Sequence, residues 1–192
     1  MNWYKKFKVK TSEIKKALIK TAIAHLYFET IHPFEDGNGR IGRAIAEKCF
    51  SECVNRPILI SISSVIEQNK NEYYNSLKKA QQSLNITDWI FYFSKTLLQA
   101  HQNTKQIIQF TLHKVSFLDK HKMFLNARQN KTILKMFEAG ISGFEGGITS
   151  KKYVSITKTS RATATRDLQD LFEKQVLKQK GEGRNVSYDL NI

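Results

Sequence analysis

The strongest constraint on this chain is a short glycine-rich segment between two stretches of helical periodicity. Residues 32–43 read HPFEDGNGRIGR, with Gly37 and Gly39 on either side of Asn38. The proline at position 33 ends the preceding helix, because a residue before proline avoids the α-helical region. Small residues then let the backbone adopt positive φ and turn several N–H groups toward one point. The segment therefore predicts a tight connection between two helices, with an anion-binding concavity.

The same loop carries the groups that phosphate chemistry requires. The dipole of the following helix adds positive potential, and Arg40 and Arg43, three residues apart on one face, can each bind phosphate oxygens bidentately. Asp36 is a hard carboxylate suited to Mg²⁺, and the imidazole of His32 suits a general base for an attacking hydroxyl group. Together they predict nucleotidyl or phosphoryl transfer.

Taken singly, each part of the loop has a more common structural explanation. A histidine before proline, a Gly-Asn-Gly turn and two arginines on a solvated helix face are all frequent in proteins without such a site. The Gly-x-x-x-x-Gly-Lys spacing of a Walker A loop is absent from the sequence.

Composition excludes several classes of protein. The 192 residues are 41% hydrophobic and 25% charged, which excludes wholesale disorder and indicates one domain, or one domain with a small appendage. The longest apolar stretch, residues 57–66, is too short to span a bilayer. The first residues lack the apolar segment of a signal peptide. We expect a cytoplasmic protein without a membrane partner.

Charge favours anionic partners, and cysteine content argues against a disulfide framework. The net charge is +14, and the parts before and after Leu125 are both basic. Nucleotides, nucleic acids and acidic proteins are candidate partners, and a lysine-rich soluble surface is the common alternative. Cys49 and Cys53 lie four residues apart, which predicts two small apolar residues on one helix face.

Periodicity predicts mainly helices in the first two thirds of the chain. Apolar residues recur at helical spacing in four segments, the last of them without an internal proline or glycine. These segments are Thr11 or Ser12 to Ile31, Arg40–Val54, Glu67–Ser83 and Asp88–Leu118. Residues 58–63 are ambiguous between a short strand and an extended connection.

The pattern changes after about Lys122 and predicts a second, smaller module. Two short helices, over residues 126–139 and 150–155, precede an amphipathic helix capped by Ser160. Alternating residues 176–179 and 186–190 then predict two strands. Three helices followed by a β-hairpin is the order of a winged helix-turn-helix. We therefore expect a helical core over residues 1–105, a connecting helix over 106–124 and a winged-helix domain over 125–192.

Position for position, residues 32–43 resemble the signature of the Fic family, His-Pro-Phe-x-Asp/Glu-Gly-Asn-Gly-Arg-x-x-Arg. Residues 22–28, AIAHLYF, also look like the helix that enters this loop in that family. The resemblance implies an all-α core followed by a small α+β module. It implies transfer of AMP from Mg²⁺-ATP to a Ser, Thr or Tyr hydroxyl group of a target protein, which can be the enzyme itself.

The resemblance also implies a role for each matching residue. His32 would be the catalytic base, Asp36 would hold Mg²⁺, and Phe34 would be a core anchor that sets the loop. The phosphate ligands would be Gly37, Asn38, Gly39, Arg40 and Arg43, the last on the γ-phosphate. Tyr73 and Tyr74 fall where relatives place aromatic contacts to adenine, with ordinary helix packing as the alternative for both.

The sequence departs from the family pattern before the motif. Only 31 residues precede His32, so the early helices and the β-hairpin flap of relatives are expected to be missing. The inhibitory pattern Ser/Thr-x-x-x-Glu-Gly/Asn does not occur, and residues 63–68 fail it at the last position. The chain therefore resembles the C-terminal part of a longer Fic protein, a split product or a degenerate copy.

Residues 125–192 resemble the winged-helix domain that follows the catalytic core in many bacterial Fic proteins. The segment SRATATRDL, residues 160–168, looks like its recognition helix. Candidate DNA contacts are Arg161, Thr163 and Arg166 on that helix and Arg184 on the wing. Winged helices also dock proteins, so this alternative stays open.

Three functions are therefore carried forward. The first is an adenylyltransferase acting through His32. The second is a DNA-binding regulator whose Fic core is a nucleotide sensor or a relic. The third is a subunit that is completed by another polypeptide carrying the missing helices. A homodimer is a separate candidate assembly.

Overall fold

A computed structural model describes residues 11–192 of the chain, apart from the side chains of Thr11 and Arg184. The expected lead-in before Thr11 lies outside the described residues. Two compact units divide the chain between Lys105 and Gln106. Helices predominate in the described residues, and their strands form one two-stranded sheet.

Five helices build the described part of the first unit, and the fifth continues beyond it. They are α1 (Thr11–Ile31), α2 (Asn38–Cys53), α3 (Ile62–Gln68), α4 (Lys70–Gln81) and α5 (Thr87–His121), of which the first unit holds the part up to Lys105. The structure confirms the helices predicted on both sides of the glycine-rich loop and the long helix after it. Helix α2 contains both cysteines, which are free and half-buried as expected.

Between α2 and α5, one prediction is wrong and one open alternative is decided. The expected single helix over residues 67–83 is two helices, α3 and α4, because Asn69 has a φ of −139° and interrupts the helical backbone. Residues 58–63 form no strand; the chain is irregular up to Ser61, whose side chain accepts a hydrogen bond from the backbone N–H of Ser64 and begins α3. The side chain of Ser61 thus determines where α3 begins, in a segment whose apolar pattern alone was ambiguous.

The core of the first unit is rich in aromatic residues and is formed in part by α1 and α2, the helices on either side of the glycine-rich loop. Trp89, Phe93 and Leu97 of α5 are almost fully buried and cluster with Ala22 and Leu26 of α1. The indole N–H of Trp89 donates a 2.8 Å hydrogen bond to the carbonyl oxygen of Ala22. This pairing satisfies the one polar atom of a large buried ring and fixes α1 against α5.

The second unit joins the remainder of α5 to three helices and a hairpin. They are α6 (Ala127–Glu138), α7 (Ser150–Thr157), α8 (Arg161–Glu173), β1 (Leu177–Lys180) and β2 (Ser187–Leu190). The strands are antiparallel, with Leu177 opposite Leu190, and Ile148 forms an isolated bridge with Tyr188 of β2. Ser160 caps α8 as predicted, since its side chain accepts a hydrogen bond from the N–H of Thr163.

A buried carboxylate ties the three helices of the second unit together. Asp167 of α8 accepts hydrogen bonds from Arg128 Nε and from the Tyr153 hydroxyl group, each at 2.8 Å. Asn126, which caps α6, donates a further bond of 3.3 Å to the same carboxylate. Charge-assisted bonds of this kind are stronger than neutral ones, so Asp167 fixes α8 against both α6 and α7.

Within residues 11–192, no helix is both long and apolar enough to cross a membrane.

Candidate active site

The glycine-rich loop begins with a strained residue. The backbone N–H of His32 still donates to the carbonyl oxygen of Phe28 at 3.0 Å, so His32 closes the last turn of α1. Its φ is +48°, in the left-handed region that side chains other than glycine and asparagine rarely adopt. Pro33 follows, and the imidazole of His32 stands exposed at the mouth of the loop.

Asn38 closes the loop from below. Its side-chain oxygen accepts a 3.0 Å hydrogen bond from the N–H of Phe34, and its side-chain amide donates back to the Phe34 carbonyl oxygen. The side chain is buried. The sequence pattern predicted that Asn38 contributes to the anion-binding concavity. In the structure, the side chain of Asn38 stabilises the loop, and only its backbone N–H, at the start of α2, is left for an anion.

The first turn of α2 has no side-chain cap. Gly37 occupies the cap position with a φ of +86° and offers no side chain to the helix N–H groups. The first N–H groups of a helix have no partner within it. Together with the helix dipole, they form an anion-binding end on a helix of 16 residues.

Both arginines stand beside the glycines of this turn. A Cβ atom on Gly37 would lie 3.4 Å from Arg40 Nη2, and one on Gly39 would lie 3.1 Å from Arg43 Nη1. The guanidinium groups thus cover the faces of the turn that larger residues would occupy. The structure brings the sequence-predicted phosphate ligands together around one helix end.

Asp36 has the properties of a single carboxylate ligand for Mg²⁺. Its side chain is 94% exposed and pairs with Arg40 at 3.3 Å. No group of three or more His, Cys, Asp or Glu side chains within residues 11–192 is arranged to hold a metal ion. Mg²⁺ usually takes one or two protein carboxylates, the rest of its shell being phosphate and water. One exposed aspartate beside an anion nest meets that requirement.

A buried polar layer lies behind the loop, and sequence reasoning missed it. His25 is fully buried, its Nε2 lies 3.0 Å from the Tyr73 hydroxyl oxygen, and its ring stacks on Phe93 at 4.6 Å. Burial lowers the pKa of His25 to about 4, so the imidazole is neutral at pH 7 and shares one hydrogen bond with the Tyr73 hydroxyl group. Glu29, one turn further along α1, is also buried.

Glu29 is linked by charge to the loop. Burial raises the pKa of the Glu29 carboxyl group, while the charges of His32 and Arg43 pull it in the opposite direction. The backbone of Gly42 lies in direct contact with the carboxylate. His25 and Glu29 lie four residues apart and therefore share a helix face, which was the available signal that α1 buries polar groups as well as apolar ones.

Two aromatic predictions need correction. Tyr73 is 3% exposed, with its hydroxyl group committed to His25, so the packing alternative describes it and an adenine contact does not. Tyr74 is exposed, with its ring edge against Tyr73 at 5.2 Å. Phe34 is half exposed and is not the core anchor that the resemblance implied. The buried side chain of Asn38 fixes the loop instead, through its hydrogen bonds to the backbone of Phe34.

The residues expected to contact DNA lie on or near α8. Arg161 and Arg166 are exposed, whereas Thr163 is bonded to the capping Ser160 hydroxyl group at 2.9 Å. The side chain of Arg184 lies outside the part of the chain that the structure describes. A groove in the second unit is lined by Lys151, Arg161 and Thr165 together with the hairpin residues Gly183, Val186 and Tyr188.

The first unit is thus helical, and the uncapped start of α2 carries the residues that the sequence pattern assigned to phosphate binding. Comparison with known proteins agrees: a model of the Fic/DOC family matches residues 1–49. The chain is also 33% identical over 82 residues to a probable protein adenylyltransferase, aq_aa38, of Aquifex aeolicus (strain VF5). These findings show that the N-terminal segment of the chain is similar to the Fic/DOC family.

Coverage of these relatives is partial. The alignment with the Aquifex protein takes in 43% of this chain and 22% of that protein's length. A solved structure of a Fic family protein from Desulfovibrio desulfuricans G20 aligns with 98% of this chain at 19% identity and a TM-score of 0.41, and the alignment covers 52% of that protein's chain. The chain therefore spans about a fifth of one relative and half of the other.

Proposed function

We propose that this chain transfers AMP from Mg²⁺-ATP to a hydroxyl group of a protein. The observation that carries the proposal is the uncapped first turn of α2, where Gly37 leaves the helix N–H groups open between two guanidinium groups. An end of this kind binds a polyphosphate with the orientation that in-line attack requires. The similarity to a protein named as a probable adenylyltransferase supports AMP as the transferred group.

The mechanism follows from the chemistry of the loop residues. The hydroxyl oxygen of the target attacks the α-phosphorus of ATP, forming a new O–P bond as the bond to the β-phosphate oxygen breaks and pyrophosphate leaves. His32, exposed at the loop mouth, accepts the hydroxyl proton. Arg40, Arg43 and the N–H groups of α2 stabilise the charge that develops on the phosphate oxygens.

Asp36 is the residue that would hold Mg²⁺ in this reaction. When bound, the ion neutralises charge on the phosphates. Because Asp36 pairs with Arg40 in an exposed position, the pair is weak and exchanges readily for a cation and a phosphate.

Intact-mass measurement after incubation with Mg²⁺-ATP tests the proposal without knowledge of the target. We expect wild type to gain the mass of AMP by self-modification, or to label a protein in an extract, and His32→Ala to do neither. His101→Ala, which removes an exposed histidine of α5, is the matched control and should behave as wild type. Equal labelling by His32→Ala would contradict the proposal.

A second candidate function rests on the groove of the second unit. Helix–hairpin order, with Lys151 and Arg161 at the start of α7 and α8, supports a winged helix that contacts duplex DNA. We expect duplex binding that weakens steeply with salt and falls on Arg161→Ala but not on Lys131→Ala, an exposed lysine of α6. Absent or salt-independent binding would leave a protein-docking module instead.

A further inference from the structure

We propose that Ser63 is a positioning residue that holds Arg43 ready for the terminal phosphate of ATP. The observation is a hydrogen bond of 2.7 Å in which Arg43 Nε donates to the Ser63 hydroxyl oxygen, across 20 residues of sequence. This inference rests on the proposed function, since it assigns a residue of α3 to the phosphate site on α2.

The bond leaves the phosphate-facing part of Arg43 available. Nε is the donor used by Ser63, so the two terminal nitrogens of the guanidinium group remain free to bind oxygens in the bidentate manner. One of them, Nη1, stands beside Gly39 in the first turn of α2. Ser63 thus restrains Nε of Arg43, while the two terminal nitrogens of the guanidinium group stay beside the first turn of α2.

Ser63 is itself held in place. Ile62 and Ile66 of α3 are buried in the core of the first unit, and the N–H of Ile62 donates to Glu47 Oε1 of α2 at 3.4 Å. Ser61 caps the helix. The hydroxyl group therefore projects from an anchored turn and not from a free loop, so it can restrain a long side chain.

Restraint matters because an arginine side chain loses rotamer freedom when it binds a ligand. A side chain already fixed in the bound geometry loses less, and the difference is gained as affinity. Glu29 supports the same placement, because its buried carboxylate and the Arg43 charge attract one another. Arg40 has no such partner on another helix among the described contacts and pairs only with the exposed Asp36.

The test compares ATP with ADP, which lacks the terminal phosphate. Calorimetric titration of wild type with each nucleotide and Mg²⁺ gives the ratio of their affinities. We expect Ser63→Ala to lower the affinity for ATP by roughly threefold to tenfold and to leave that for ADP almost unchanged. Ser63→Thr keeps the hydroxyl group and should restore the ratio.

Ser64→Ala is the matched control. Its hydroxyl group donates to the Ser61 carbonyl oxygen at 2.8 Å on the same helix turn and does not contact Arg43. A general loosening of α3 would therefore lower the ATP-to-ADP ratio in both variants, and that outcome would overturn the inference. An unchanged ratio in Ser63→Ala, with wild type binding ATP, would overturn it while leaving the proposed function standing.

A second readout is independent of nucleotide. The Nε–H proton of Arg43 gives a separate NMR signal whose solvent exchange should be slow in wild type and in Ser64→Ala, and fast in Ser63→Ala. Fast solvent exchange of the Arg43 Nε–H proton in wild type would show that Ser63 does not restrain Arg43, irrespective of the result for ATP binding. Slow exchange together with a wild type that binds no ATP would refute the proposed function and, with it, the role of Ser63.

Discussion

The backbone of Gly42 lies against the carboxylate of Glu29, so closely that a Cβ atom at position 42 would overlap Glu29 Oε1. The contact joins α1 to α2 directly behind the glycine-rich loop. It explains why position 42 is a glycine although it is buried within a helix, where alanine is the better helix former.

Gly42→Ala should therefore destabilise the protein, in spite of the gain in helix propensity. The Cδ atom of Glu29 and the ring of Phe28 stand 3.1 Å from the same Cβ position, so these two packed side chains must shift to admit a methyl group. Overpacking of this kind costs about 1–3 kcal/mol, which urea unfolding followed by circular dichroism would measure.

Gly39→Ala provides the comparison on the same helix. Its Cβ atom would meet only the flexible end of Arg43, at 3.1 Å. We expect stability equal to or above that of wild type, with weaker ATP binding because the guanidinium group is displaced. Equal destabilisation by both substitutions would show that the contact with Glu29 is not what excludes alanine at position 42.

Asp167→Asn should destabilise the second unit by about 2 kcal/mol, because it removes the charge from hydrogen bonds donated by Arg128 and Tyr153. Burial alone would raise the pKa of Asp167, but these bonds outweigh it and hold the pKa below its usual value. Thermal unfolding at pH 7 would measure the loss.

The effect of Asp167→Asn should also depend on pH. A carboxyl group with a depressed pKa stabilises the folded state above its unfolded pKa, and that stabilisation disappears as pH falls through the folded value. The gap between wild type and variant should therefore close at acidic pH. Asp119→Asn removes the same charge from an exposed position of α5 and should change stability little at pH 7.

His25 should make the protein less stable in mild acid. Its pKa is about 4 in the folded state, against 6.5 when exposed, because the ring is fully buried. Between those values the unfolded chain binds a proton that the folded chain does not, so the free energy of unfolding falls by roughly 3 kcal/mol as pH drops from 6.5 to 4. Urea unfolding at each pH, followed by tryptophan fluorescence, would measure this.

His25→Gln isolates this contribution. The variant should start from lower stability at pH 7 but lose less on acidification. Glu29 acts in the opposite direction in both proteins, since its raised pKa lets the folded state bind a proton first. The burial of His121, which also lowers its pKa, likewise remains in both. A pH dependence unchanged by the substitution would mean that His25 is not the group responsible.

Much of the helical framework could be predicted from local patterns, because proline, glycine and capping residues act on their own neighbours. Ser160 began a helix as expected, and the long α5 followed from uninterrupted periodicity. Residues 67–83 misled because the apolar spacing continues across Asn69, and only the backbone of that residue divides α3 from α4. Periodicity indicates which face is buried and is insensitive to a single break in the helix.

The loop residues could be identified from the sequence, but their division of labour could not. The motif contains Phe34 and Asn38 without indicating which of them is buried; the structure buries the amide and exposes half of the ring. Buried polar side chains are hydrogen-bonded, and both hydrogen bonds of the Asn38 amide are made with the backbone of Phe34. Likewise, nothing local links Arg43 to Ser63, because their contact depends on how α3 packs against α2.

His32→Asn should separate stability from activity at the most strained position of the loop. His32 has a φ of +48°, and asparagine tolerates the left-handed region better than histidine. We expect the variant to be as stable as wild type or more stable by up to about 1 kcal/mol, while AMP transfer is lost with the base. His101→Asn, placed within α5 and exposed, should instead lower stability slightly, because asparagine is a poor residue for a helix interior. Thermal unfolding and intact-mass labelling on the same preparations would measure both effects. A clear loss of stability in His32→Asn would show that the histidine side chain, and not only its backbone geometry, holds the loop together.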